Sequence, residues 1–268
     1  MKNQLKKGLV LISMIVVLFL VSCAPAQQPQ GPAMVQEKEG RAVFAITDAA
    51  ANMSAVTSVM VTVDSVSVHS ATEGWVTVSS EPQSFDLLKL KAEASQELLA
   101  DVKLKEGTYQ QLRLDISKVV VVDDKGEHEA KLPSGELKIV GDLEVKANST
   151  STATFDFIAD ESLHMTGNGE YILAPVVKLE TKEDAEVEVK ADHKVKIKGG
   201  KVKASLKVGM DADGKVGVGL GISSKANVSI AQGKIKVEDG LTLGKDKSEE
   251  TMEENASVKA EAKVKVGY

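Results

Sequence analysis

The chain has 268 residues, with 33 lysines and arginines against 39 acids, and a formal net charge of −6. That length suits about two domains of roughly 100–200 residues each. The acidic balance argues against nucleic acid as a partner, because phosphate backbones are held by clustered Lys and Arg.

The first stretch is a targeting pattern. Lys2, Lys6 and Lys7 precede any acid, and Leu9 to Val21 is apolar except for Ser13. A basic start, a short apolar run and a small residue at its end read as a secretory signal over residues 1–22. The run is shorter than the roughly 20 residues of a bilayer-spanning helix. Leu20-Val21-Ser22-Cys23 resembles the lipobox of bacterial and some archaeal lipoproteins. The resemblance implies cleavage before Cys23 and a thioether-linked diacylglycerol on its thiol, with palmitate among the acyl chains. Cys23 is the only cysteine, so no disulfide can form within the chain. Removing residues 1–22 takes away three lysines and no acid, which moves the net charge from −6 to −9. The expected location is the cell membrane or outer membrane, lipid-anchored on the extracytoplasmic side. Residues 23–40 are rich in Pro, Gln, Ala and Gly and form an expected flexible tether after the lipidated cysteine.

Residues 41–181 alternate in short runs bounded by turn residues. Ala42–Ile46 is a short strand ending at Thr47-Asp48. Val59, Val61, Val63, Val66 and Val68 alternate with a slip after Val63, which predicts a bulge. Glu73-Gly74 turns the chain into Trp75–Val78, giving a hairpin. Ala92 to Leu99 is rich in helix formers and predicts a short helix. Tyr109–Ile116 and Val119–Val122 read as strand, and Asp123-Asp124-Lys125-Gly126 as a hairpin turn. Leu137–Val140, Leu143–Ala147, Ser151–Ile158 and Tyr171–Leu179 complete the set. Many short strands with little helix predict an all-β fold, an immunoglobulin-like or transthyretin-like β-sandwich.

Taken in order, Ile46-Thr47-Asp48-Ala49, the Val-rich hairpin to Trp75, Phe85-Asp86-Leu87-Leu88, Leu98-Leu99, Gly107–Leu114, Leu132-Pro133-Ser134-Gly135, Phe155-Asp156-Phe157 and Tyr171–Val177 resemble the domain of unknown function 4382 family over Gly40–Thr181. Members are secreted or lipid-anchored prokaryotic proteins. The resemblance implies fold and location, and no catalytic residues. The family's first motif commonly continues with proline, where this chain has Ala50.

Composition changes near Leu179–Ala185. Residues 185–268 read as a separate β-rich module, a Lys-rich antiparallel β-meander. Lys194–Lys198, Lys201–Val208, Val216–Ile222, Val228–Ile230, Lys234–Val237 and Val258–Val266 alternate, with apolar residues on one face and lysines on the other. Gly199-Gly200, Asp211–Gly214 and Gln232-Gly233 are the expected turns. The dry face must pack on the first domain, on its own fold-back or on another copy.

The candidate chemistry is sparse. Asp211-Ala212-Asp213-Gly214 starts like a calcium loop, but Lys215 and Ile222 stand at its fifth and twelfth positions, so a β-turn is expected. His69, His128, His164 and His193 have no metal-ligand spacing and are read as solvated loop residues, so no metal or other cofactor is expected. Ser134 lacks a nucleophile elbow and is read as a turn residue. Asp48 and Asp156 are candidate ligand-binding carboxylates at one end of the sandwich. Asn52, Asn148 and Asn255, each in an Asn-x-Ser/Thr triplet, are candidate glycosylation sites. The expectation is a non-enzymatic envelope protein with a structural, adhesive or carbohydrate-binding role. Its partners would be the membrane, through the lipid on Cys23, and a carbohydrate or an envelope protein. Two alternatives stand beside it: an envelope hydrolase built from dispersed carboxylates, and a membrane-associated β-barrel module.

Overall fold

A computed structural model describes residues 37–48, 53 and 55–238. In chain order the elements are β1 (Glu39–Asp48), β2 (Val56–Ser70), β3 (Gly74–Ser79), β4 (Gln83–Asp86), α1 (Leu87–Ala92), β5 (Gln96–Lys105), β6 (Gly107–Asp123), β7 (Gly126–Glu129), β8 (Glu136–Val145) and β9 (Thr150–Phe157). They continue as α2 (Ala159–Ser162), β10 (Leu163–Met165), β11 (Tyr171–Leu173), β12 (Val176–Val189), β13 (Lys194–Met210), β14 (Val216–Val218), β15 (Asn227–Ala231) and β16 (Lys234–Glu238). The fold is all-β and sandwich-like, as the alternation predicts.

The first sheet runs β12-β9-β1-β5-β13-β14, and β12 also pairs with β13. Five strands therefore close on themselves: β12, β9, β1, β5 and β13. Only β1 and β9 run parallel in it. The second sheet runs β3-β2-β6-β7, with β4 added to β2 and β8 to β6, all antiparallel. The two sheets share one core. Phe44, Ile46, Phe155, Phe157 and Leu179 come from the first, and Val61, Leu112, Leu114, Leu137 and Ile139 from the second; all are fully buried. Each such side chain contributes about 1.5–3 kcal/mol through burial.

Local signals explain several elements. The β2 register shifts on both sides of Val63, the bulge expected from the slip in alternation. The hairpin β2–β3 turns at Ser70↔Gly74, and β6–β7 at Asp123↔Gly126. In the turn after β13, Gly214 donates to the Asp211 carbonyl, and the Asp211 carboxylate accepts from the Asp213 and Lys215 amides. This is the expected turn and not an ion loop.

The helix differs from its expected place. It is α1 at Leu87–Ala92, and Gln96–Lys105 is strand. Asp86 starts the helix by accepting from the Leu88 and Lys89 amides. A Schellman ending stops it: Ser95 donates to Leu90, Ala94 donates to Lys91, and Ala94 adopts φ 47°. Glu97, Leu98 and Leu99 are good helix formers, but Glu97, Leu98 and Ala100 pair with β1 around a bulge at Leu99, and that ladder overrides propensity.

The second half also differs. β12 runs unbroken through Leu179–Ala185, so the change in composition falls inside a strand. Gly199-Gly200 is not a turn. It lies within β13, opposite Ala185 and Asp184, where φ is 60°, 79° and 53° at Gly199, Gly200 and Asp184. The hairpin turns instead at Ala191–His193. Its tip folds back, and Val187, Val189, Val195 and Ile197 pack on Val43, Ala45 and Leu98. β12 and β13 thus bury their dry face against the first domain's own strands. β15 and β16 form a separate hairpin whose Val228 packs with Ile172, Ala174 and Ile222, turned by Gln232-Gly233 as expected. The expected strand Val258–Val266 lies outside the described residues.

Candidate functional site

The expected pair Asp48 and Asp156 does not converge. β1 and β9 are parallel, with Thr47 opposite Asp156 and Asp48 opposite Phe157. A one-residue offset sends side chains to opposite faces. Asp48 is buried and accepts the Ala159 amide at 3.2 Å, which fixes the start of α2. Asp156 is half-buried on the other face; burial pushes its carboxyl up, and Lys178 beside it pulls down.

Of the expected glycosylation residues, Asn148 is exposed in the β8–β9 turn at φ 58°. Asn52 and Asn255, like Cys23, where lipidation is expected, lie outside the described residues. Ser134 accepts the Glu136 amide, a turn role. Among the described residues no three His, Cys, Asp or Glu groups gather to hold a metal, and no helix is long and apolar enough to cross a membrane.

The histidines depart from expectation. Only His193 sits exposed in a turn. His164 is buried on β10, and burial lowers its pKa to about 4 despite a hydrogen bond with the Glu161 backbone. His128, on β7, meets Asp123 at 3.0 Å and stacks near Tyr171. The Tyr171 hydroxyl donates to the same carboxylate at 2.8 Å. Burial pulls the Asp123 carboxyl up, but hydrogen bonds from Tyr171, the Lys125 amide and His128 outweigh it and hold it at about 2. This cluster ties β6 and β7 to β11.

His69 belongs to the most distinctive surface of the molecule, the outer face of β3-β2-β6-β8. Along these strands Val76, Val68, Leu112 and Ile139 point inward, so their neighbours point out. Register sets the rows: Trp75 faces His69, His69 faces Gln111, and Gln111 faces Val140. The next row is Thr77, Ser67, Arg113 and Lys138. Trp75, the only tryptophan, remains 40% exposed. The His69 ring lies 5.1 Å away, tilted, and the Arg113 guanidinium carbon sits 4.7 Å from the indole centroid. Arg113 is held in turn by Glu136 at 3.3 Å and by Asp115 at 3.6 Å, and Asp115 accepts the Ser65 hydroxyl. Val140 is 70% exposed at the far side. The indole is therefore held by Arg113 and His69, partly open to solvent on the sheet's outer face, and set among polar side chains. Exposed Trp fixed by a cation and a cross-strand ring is a poor choice for core packing and a good one for stacking a ligand.

Sequence reasoning missed this face. It read Trp75 as a hairpin residue and did not weigh Arg113. The signal that could have found it is composition: one tryptophan and two arginines in the chain, with Trp75 and Arg113 both at outward phases of their strands.

Residues 39–175 match the family described as domain of unknown function (DUF4382), just over half of the chain. The chain belongs to this family. No curated protein and no solved structure matches it. The DUF4382 match takes in β1 to β11, so the Trp75 face lies wholly within it. It ends one residue before β12, and the strands that close the first sheet, β12 and β13, lie beyond the matched segment.

Proposed function

We propose that this DUF4382 protein is a non-enzymatic, lipid-anchored envelope protein whose Trp75 face binds carbohydrate. The observation that carries the reading is the fixed, open indole of Trp75 among polar neighbours. A sugar ring offers a face of C–H groups that packs on an indole and an edge of hydroxyls that pair with side chains such as Gln111, Thr77 and Lys138. The ring is ordered before a ligand arrives, so little conformational entropy remains to be lost on binding. Charges on the face come in both signs, Arg113 and Lys138 with Asp115 and Glu136, which suits an uncharged glycan over a strongly anionic polymer.

A screen of glycans and wall polysaccharides against the chain from residue 23 onward tests this. Trp75→Ala is expected to weaken the binding found by at least about tenfold, or about 1.4 kcal/mol, with an unchanged unfolding temperature. The absence of any glycan ligand for the unaltered protein, or equal affinity in the variant, overturns the reading. The anchor has its own test. Labelled palmitate should enter the unaltered chain and not Cys23→Ala, and equal labelling removes the lipid from the account.

A further inference from the structure

β5 has a strand edge that the described residues do not fill. Along one side it pairs with β1 from Lys105↔Glu39 to Glu97↔Ile46. On the other side only its start is taken, where Gln96 and Glu97 face Val195 and Lys194, and the Leu98 amide donates to His193. The Glu106 amide donates toward β1, at Lys38. By the two-residue period, Leu104, Val102 and Ala100 also bond toward β1, and the amides of Asp101 and Lys103 turn the other way. The protein itself places a donor on this edge: the Gln83 side-chain amide reaches the Leu99 carbonyl at 3.1 Å, where a neighbouring strand's N–H would lie.

Across from this edge is β3, which is paired on one side only, with β2. Between them lies an open groove of about 790 Å³. Val78, Phe85 and Leu99 give it an apolar floor. Glu81, Glu97, Asp101 and Asp192 line it, and no lysine or arginine does, in a chain that carries 33 of them. Arg41 neutralises Asp101 from the far side. The groove thus asks for an extended segment with small apolar side chains on one face and lysines on the other.

We propose that the segment Val258–Val266 of this same chain adds to β5 as a strand in this groove. Its sequence alternates Val258, Ala260, Ala262, Val264 and Val266 with Lys259, Glu261, Lys263 and Lys265. The apolar face suits the floor of Val78, Phe85 and Leu99, and the three lysines complement the carboxylates. Nineteen residues separate Glu238 from Val258. Extended, they span up to ~60 Å at ~3.3 Å each. A domain of about 200 residues has a radius of gyration of ~16 Å, so the reach suffices. Main-chain bonds to the free edge supply affinity and the alternating side chains supply register, as in other strand additions. The tether places the segment at an effective concentration that a short strand needs to stay bound.

Hydrogen exchange of the whole chain tests the proposal. The Asp101 and Lys103 amides are expected to exchange at least tenfold more slowly in the unaltered chain than in Lys259→Glu/Lys263→Glu/Lys265→Glu. A chain ended after Ser257 should match the charge-reversed variant. Equal rates in all three overturn the proposal. Protection that disappears on hundredfold dilution also overturns it, because the added strand then comes from a second copy.

Discussion

Asp123 and His164 respond to acid in separate ranges, because their surroundings shift them for different reasons. His164 is buried, and its pKa falls from 6.5 to about 4. Its folded value lies below its unfolded value, so the unfolded chain binds the proton first. Its contribution to stability is complete above about pH 6.5 and declines until pH 4, by roughly 3 kcal/mol. Asp123 sits at about 2 against an ordinary 3.8. Its contribution is complete above about pH 4 and is lost as pH falls through 2. Urea unfolding at a series of pH values is therefore expected to show two falls. His164→Leu should flatten the one between pH 7 and pH 4 and leave the lower one. Asp123→Asn should remove the lower one. A single fall below pH 4 in the unaltered protein would contradict the burial argument for His164. The same geometry acts on Tyr171, whose burial and bond to Asp123 raise it to about 12, so its phenolate band should emerge well above pH 10.

At the scale of elements, the long hairpin β12–β13 shows how one side chain seats an irregularity. The register shifts between Thr181 and Lys182, leaving Lys203 as the extra residue. Thr181 is fully buried there. Its hydroxyl donates to the Asp142 carbonyl at 2.6 Å and accepts the Ala204 amide at 3.1 Å. It thereby pairs the amide freed by the bulge and pins β8 to the hairpin. Thr181→Val keeps the shape and leaves both backbone groups without a partner. The expected cost is ~1–3 kcal/mol, read as a lower urea midpoint with an unchanged slope. A midpoint equal to that of the unaltered protein would mean that the two groups find other partners. Just beyond the bulge, Glu183 is nearly buried, with Lys146 at 2.6 Å and Lys201 at 3.4 Å. Lysines that looked solvated in the sequence thus meet an acid from the neighbouring strand.

For the molecule as a whole, closure of the first sheet decides where the domain ends. β9 has β1 on one side and β12 on the other, and β12 is completed by β13. A chain ended at Thr181, where composition suggests a boundary, would strip half of β12 and all of β13. The edge of β12 and the faces of Val43 and Ala45 would meet water. Such a chain is expected to aggregate or to unfold at a lower temperature than one ended at Glu238, measured by light scattering and calorimetry. Equal stability would show that the sandwich does not need its closing strands. The matched family segment stops one residue before these strands, so the sheet this chain builds extends past the part it shares with its family.

Most strands were legible because alternation follows from half-burial: Leu112, Leu114 and Ile116 could only face a core. The bulge at Val63 and the turns at Asp123–Gly126 and Asp211–Gly214 were equally local, set by phase, glycine and Asx chemistry. The helix was misplaced because Leu98 and Leu99 suit a helix by propensity and a strand by partnership, and the partner β1 lies about fifty residues away in the sequence. Asp48 and Asp156 looked alike as strand-end acids; only the parallel register of β1 and β9 put them on opposite faces. The Trp75 face was missed for the same reason, since it takes the registers of three strands, β3, β2 and β6, to bring Trp75, His69 and Arg113 together. The sequence by itself determined the all-β class, the family and the order of the strands, because these depend on local period and residue type. Only the tertiary structure decided the closure of the sheet, the fate of the dry lysine-rich strands and the place of the one open tryptophan, because each depends on pairings between segments far apart in the chain.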